Sequence, residues 1–338
     1  MSEKTKHQHY VPQSYLMRFT DQKNMLYVFD KTQPGKEPFP TSPRNVAGAR
    51  YFYDIEAKDF DNLPDDFYEQ TAEKMFSELE ALLKVQIDNI IARFTLTENP
   101  YRQTVLSPPE REAFAGQLTM QIIRTADFRD HVISAFNTLT QTHFDLFAAH
   151  RLENYVPGDV KVGIDPNHEK YEHLRMLSNE EFISTLILGL LQNFYWSIGV
   201  NRTDQPFYTS DNPVVKRGYK DGKGLVSHQG LLSPGMEIAF PLNSKLILIL
   251  YEKSYFPQMK DNDNLFMPLD DLDYVTYYNS LQAYQSNKQI YCKEPKFDLL
   301  MKMAASEPDF MKKREHQMHV DAPLLEHYRK RRNKKRRK

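Results

Sequence analysis

Cysteine is almost absent from this chain. Cys292 is the only one among 338 residues, so no intrachain disulfide can form and no cysteine-based zinc site can be built. That usage fits a reducing, cytoplasmic setting. Long apolar runs are missing too. The longest, LILGLL (186–191) and LILILY (246–251), fall far short of the ~20 residues of a membrane span. The first residues are polar and charged and do not read as a signal peptide. Walker A, GxGxxG, GxSxG and HExxH are all lacking, which removes the usual phosphate-loop, dinucleotide, α/β-hydrolase and zincin readings. YKDGKG (219–224) is a turn, and HEKYEH (168–173) spaces two histidines off helical register for a metal.

What is present is an ordinary soluble composition, 40% hydrophobic and 26% charged. Tyr and Phe are plentiful, at 20 and 21, and Trp196 is the only tryptophan. The net charge of −1 conceals an asymmetry. The last ten residues, RKRRNKKRRK, hold nine of the 44 lysines and arginines, leaving 35 basic against 45 acidic residues in the body. Such a tail, 329–338, is expected to be disordered alone. It is a nucleic-acid contact by counterion release, or a solvated segment that aids solubility or docks on the acidic body. A protein partner for the acidic body is the other expectation; a membrane is not.

Periodicity places the elements. Alternation suggests strands in MLYVFDK (25–31) and VAGARYFYDIE (46–56), with a proline-rich loop, PGKEPFPTSP, between them. A 3.6 period predicts a helix from Phe67 to Phe94, carried by Met75, Phe76, Leu79, Leu82, Leu83, Ile87, Ile90 and Ile91. SPPERE opens another at Ser107, and a third covers about 128–152. Residues 156–170 read as a loop, and 178–194 as a helix capped by Ser178 with Glu181. After Trp196 the pattern turns to strands, with a helix within 271–289. The expected fold is α+β: a single domain over 1–300, with β-rich parts 1–65 and 196–295 around a helical lobe at about 66–195. A C-terminal extension follows at 301–328. The short N-terminal strands have too few partners of their own, so they should pair with the C-terminal part.

Candidate chemistry is concentrated in two blocks. In HQHYVP, His7 and His9 lie at i, i+2, and on a strand they share a face. Paired imidazoles suit a general acid and base or a metal pair, because histidine titrates near neutrality; the plain alternative is two surface histidines. In YTSDNPVV, Ser210, Asp211 and Asn212 precede a proline; this is turn chemistry, and also a place from which a carboxylate can orient a histidine or hold a metal. Gln121 and Arg124 share a helix face, and Arg124 with Arg129 offers a bidentate phosphate fork unless Arg124 pairs with Asp127 or Glu112. Glu237 is an acid on a strand, inward or outward. The candidate catalytic set is therefore His7, His9, Arg124 and Asp211. Tyr10, Gln121, Arg129, Ser210, Asn212 and Glu237 would contact substrate, and His7, His9 and Asp211 would ligate any divalent metal.

These blocks resemble a bacterial family of unknown function marked by an N-terminal H-x-H-Y-V-P-x-x-Y-L-x-x-F, here HQHYVPQSYLMRF (7–19). The resemblance continues through Q-x-x-R-T at Gln121–Thr125, T-S-D-N-P-V at Thr209–Val214, F-P-L at Phe240–Leu242 and a helix containing Asn279. Ala126 stands where members often carry proline, and the basic tail lies outside the resemblance. It implies that widely separated polar blocks belong to one domain around one cleft, and no reaction. HYVP is also similar to the HHxxP strand of HNH nucleases, where a histidine activates water beside a metal, although the downstream Asn and His are not found at clear spacing; this is fold-level analogy. The leading expectation is a nuclease for RNA or single-stranded DNA, as in a bacterial defence or toxin-like effector. The alternatives are a non-catalytic protein- or nucleic-acid-binding module, and a hydrolase or transferase on a small nucleotide.

Overall fold

The computed structural model describes residues 7–55, 71–152, 155–219, 230–316 and 323. The start of the helix expected at Phe67, the YKDGKG turn after its first residue, the cationic tail and most of the extension after residue 316 lie outside the described residues. In chain order the N-terminal half contains β1 His7–His9, α1 Gln13–Leu16, β2 Leu26–Asp30, β3 Phe39–Thr41, β4 Gly48–Arg50, α2 Thr71–Leu96, α3 Pro108–Ile123, α4 Ala126–Arg151, α5 Pro166–Leu177 and α6 Glu180–Asn193. The C-terminal half contains β5 Phe194–Asn201, β6 Thr209–Ser210, β7 Val215–Gly218, β8 Met236–Pro241, β9 Leu246–Glu252, β10 Leu265–Leu269, α7 Leu272–Gln285, β11 Gln289–Cys292 and α8 Asp298–Ser306. This is the α+β arrangement expected from the sequence.

A five-stranded sheet, ordered β10-β5-β9-β8-β7, forms the centre. The unbroken LILILY run follows from its place there: every residue of β9 is buried, because both sheet faces are covered. Leu246, Leu248 and Leu250 pack with Phe114 and Leu118 of α3 and Leu190 of α6. Ile247, Ile249 and Tyr251 pack with Val275, Tyr278 and Leu281 of α7. β10 joins at the edge, parallel to β5, and its Pro268 is tolerated there.

The second sheet, β3-β2-β11-β6, joins the two ends of the chain. Asp30 pairs with Gln289 and Tyr27 with Cys292, while Ser210 of β6 pairs with Ile290. Of the N-terminal strands, β2 thus finds a partner in the C-terminal part, whereas β3 pairs with β2 and β1 and β4 pair only with each other. β3 lies inside the segment read as a proline-rich loop. Of the strand expected over 46–56, only Gly48–Arg50 is one. Residues after 300 are partly integral: Leu300, Met303 and Phe310 close a core with Phe29, Tyr208 and Cys292.

Helix starts follow capping chemistry. Ser107 and Glu110 form the reciprocal capping box of α3. Two expectations are corrected. α6 is capped by Asn179, whose side chain accepts the Phe182 N–H at 2.9 Å, not by Ser178. The loop read at 156–170 ends at Asp165, which caps α5 by accepting from the N–H groups of Asn167 and His168. The Asp-Pro start was the available signal; α5 is too polar to show a strong apolar period.

Candidate functional site

β1 runs antiparallel to β4, with His7 opposite Arg50 and His9 opposite Gly48. Gln8 between them is fully buried. Its Nε2 donates to Asp54 Oδ1 at 2.6 Å, and its Oε1 accepts the Tyr53 N–H at 2.7 Å. The strand is therefore pinned from its inner side, and alternation puts both imidazoles on the other face, their ring centroids 4.8 Å apart and edge-on. Gly48 makes room for them: a Cβ there would lie 2.7 Å from His7 Nε2. His9 Nε2 donates to the Arg44 carbonyl at 3.2 Å, which leaves Nδ1 as the acceptor, 3.3 Å from Gln13 Nε2. Burial, and then the nearby His7, pull the His9 pKa down to about 4, so its ring is neutral at neutral pH. Arg50 directly opposite His7 shares its face, and both Arg50 and Arg44 are exposed. Sequence reasoning missed Arg50, since only the pairing register brings it opposite His7.

Behind the strand, α3 and α4 hold its main chain. Gln121 Nε2 donates to the Tyr10 carbonyl at 3.3 Å. Arg124 Nη2 donates to the His9 carbonyl and to Glu80 Oε1, each at 2.7 Å, and its guanidinium lies 4.0 Å over the Phe76 ring. Arg129 donates from Nε to His173 Nδ1 at 2.9 Å and from Nη2 to the Phe52 carbonyl at 2.7 Å. Both arginines are buried, so they do not form the phosphate fork expected from sequence. The partner of Arg124 is Glu80, not Asp127 or Glu112. His173 is a satisfied core histidine: its Nε2 donates to the Ile123 carbonyl at 2.7 Å, and burial, with the Arg129 charge, brings its pKa to about 3. A cleft beside Arg124, lined by Pro12, Phe76, Glu80, Gln117 and Gln121, has room for about one water.

The second block forms a separate polar centre. Asp211 is buried and its carboxylate accepts three backbone N–H bonds, from Asn287 and Lys288 at 2.8 Å and Gln289 at 3.0 Å. Burial outweighs those amides and pushes its pKa up to about 6. Nearby, Lys31 Nζ donates to the carbonyls of Ala283 and Ser286, and burial lowers its pKa to about 8. Ser210 Oγ donates to Gln282 Oε1 at 2.7 Å. Asn212 Nδ2 donates to Asp127 Oδ2 at 3.1 Å and to the Gln285 carbonyl at 2.9 Å. Tyr10 stands between the two centres: its ring lies 5.0 Å from Phe52, and burial, then the Asp211 charge, push its phenol pKa up. Among the described residues the imidazoles and Asp211 nevertheless share no hydrogen-bond partner. Among the described residues no three His, Cys, Asp or Glu side chains form a group that could hold a metal ion, and that includes His7, His9 and Asp211.

Glu237 lies apart from both centres. It points inward, toward α7, where the Tyr277 hydroxyl donates to its Oε2 at 3.2 Å. Its Oε1 has no partner among the described residues. Burial pushes the pKa up to about 7 from an ordinary 4.5. The stability from that bound proton is complete below the unfolded value and lost as pH rises through the folded one. Glu237→Gln, which keeps an acceptor for Tyr277, is therefore expected to flatten the dependence of Tm on pH. Above pH 8 it should exceed the parent by on the order of 1–3 kcal/mol. Parallel Tm profiles for the two proteins between pH 5 and 9 would contradict this.

The molecule is thus an α+β protein with a half-buried histidine pair and a buried Asp211–Asn212 centre. Over residues 7–296 it matches the model of the family described as Protein of unknown function (DUF4238), and it belongs to that family. No curated protein and no solved structure matches the chain. Among the described residues no helix is long and apolar enough to cross a membrane.

Proposed function

We propose that the protein is a nuclease acting on RNA or single-stranded DNA, with the His7–His9 face as its reaction surface. The observation that carries this reading is the paired imidazoles on a strand pinned by Gln8, with His9 neutral and its Nδ1 left as an acceptor. A neutral imidazole can take the proton of a water or ribose hydroxyl attacking phosphorus. Arg50 beside it supplies positive charge for the phosphate, and the 329–338 tail adds sequence-independent affinity. Arg124 then acts as a positioning residue through the His9 carbonyl, and Asp211 organises the turn before β11.

A second reading, a non-catalytic binding module, is favoured by a different observation. Gln8, Arg129, Ser210 and Asp211 direct their hydrogen bonds to main chain or to other protein side chains, and so does Arg124 from its Nη2, although its Nε has no partner among the described residues.

The test is incubation of the purified full-length protein with labelled RNA, single-stranded DNA and double-stranded DNA, with Mg²⁺, Mn²⁺ or chelator, beside a His9→Ala control. Cleavage of a single-stranded substrate that His9→Ala loses supports the nuclease. Absence of cleavage in every arm overturns it, and retained binding would then favour the module. In the same assays, deleting 329–338 should weaken nucleic-acid binding and flatten its salt dependence.

A further inference from the structure

Beyond the family-matched span, residues 313–316 lie across the polar centre around Asn212. Lys313 Nζ pairs with Asp130 Oδ2 at 2.6 Å. His316 Nε2 donates to Asp127 Oδ1 at 2.8 Å, and its carbonyl accepts from Ser134 Oγ at 2.6 Å. The Arg314 N–H donates to the Asn287 carbonyl at 3.0 Å. Arg314 Nη1 donates to Asp127 Oδ2 and to the Gln285 carbonyl, each at 3.1 Å. These last two acceptors are the same two that Asn212 Nδ2 already serves. Asp130 likewise keeps a bond from Asn287 Nδ2 at 3.2 Å. If the segment leaves, Asp127 Oδ2, the Gln285 carbonyl and Asp130 Oδ2 each keep a protein donor, while Asp127 Oδ1 and the Asn287 carbonyl become open to water, so the penalty for undocking a polar strap is reduced.

The contacts are polar throughout. Lys313 and Glu315 are exposed and Arg314 and His316 half-buried, whereas the apolar packing of this end of the chain stops at Met311. One contact is protonation-dependent by geometry. His131 Nδ1 and His316 Nδ1 face each other at 3.2 Å. His316 already donates from Nε2, so one of the two facing nitrogens must be bare. The docked pair can therefore hold at most one added proton; a second sets two N–H groups against each other.

We propose that residues 313–316 are a detachable basic latch over the Asp127–Asn212 centre, closed while the His131–His316 pair holds at most one added proton and opened when it takes up a second. The charges that act on His131 besides His316 are Lys216 of β7, Asp127 of α4 and Arg314 of the latch; Lys313 of the latch faces Asp130 of α4 and acts on Glu169 of α5. Burial, and then His316, hold the His131 pKa below its ordinary value. A lowered pKa in the closed state means that closure is complete above the open-state value, about 6.5, and is lost as pH falls below it. Because two of the remaining contacts, Lys313–Asp130 and Arg314–Asp127, are ion pairs, added salt favours opening as well.

Hydrogen exchange of the full-length protein tests this, read at the Arg314 amide and corrected for intrinsic chemistry. Protection at about pH 7.5 should fall by about tenfold or more at about pH 5.5, while β9 amides stay protected. His316→Gln keeps an N–H for Asp127 without a titratable ring, and should remain docked with the pH response removed. His131 on α4 gives a second variant, His131→Gln, with the same expected loss of response. Equal protection at both pH values, a pH response surviving in both variants, insensitivity to salt, or loosening of β9 in parallel would each overturn the latch.

Discussion

Replacing His9 with alanine is expected to lower nuclease turnover by about 10²–10⁴-fold, the range for losing a general acid–base group, with little change in Tm. The second half of that expectation comes from the contacts. The ring is half-buried, and its hydrogen bonds to Arg44 and Gln13 are long, at 3.2 and 3.3 Å. The strand's anchorage lies elsewhere, in Gln8 and in the Arg124 bond to the main chain. His9→Gln sharpens the test, since it retains a donor for the Arg44 carbonyl but no basic nitrogen. It should be as inactive as the alanine variant and at least as stable. With the His9 pKa near 4, the ring is protonated only below that value. Turnover limited by this base should therefore be level from about pH 5 upward and fall in more acid solution. The structural alternative predicts the reverse, a stability loss of about 1–3 kcal/mol with activity falling only as folded protein is lost. Full turnover by well-folded His9→Ala protein would remove the histidine face from the chemistry.

Asp211→Ala should be the most destabilising change in either polar block, by about 3–5 kcal/mol. It strips the acceptor from three consecutive backbone N–H groups, at Asn287, Lys288 and Gln289. It also removes the buried charge that favours protonated Lys31. Those amides form the turn into β11 and its first residue, and β11 joins β2 to β6, so the damage would fall on the sheet that ties the two ends of the chain together. Asp211→Asn keeps one acceptor oxygen and should cost about half as much. It should also retain nuclease turnover, because among the described residues the histidines share no partner with Asp211. Denaturant unfolding of both variants measures the first expectation and the cleavage assay the second. An alanine variant within about 1 kcal/mol of the parent, or an inactive but stable asparagine variant, would return Asp211 to a chemical role.

Local pattern made some elements readable without any tertiary information. The α2 stripe at Phe76, Leu83, Ile87 and Ile90 is buried as its period requires, and Ser107 with Glu110 marks the start of α3 through a bond pattern confined to four residues. α5 went unseen because a polar helix carries little periodic signal, and β10 because a short edge strand with a proline reads as loop. Ser178 reads as the cap of α6 from local chemistry because neighbouring capping residues are chemically equivalent until the backbone selects one, here Asn179.

The same division runs through the candidate site. That His7 and His9 share a face was determined by the sequence alone, since side chains on a strand repeat every two residues. Which face turns outward was decided by tertiary structure, when Asp54 and Tyr53 captured Gln8 on the other side. The sequence also determined that Ser210, Asp211 and Asn212 form a turn-like polar block. Only the fold spent Asp211 on the backbone of residues 287–289, enclosed Arg124 and Arg129, and set Arg50 opposite His7. Those outcomes depend on strand register and on hydrogen bonds between residues far apart in the chain, and neither quantity is written in local spacing.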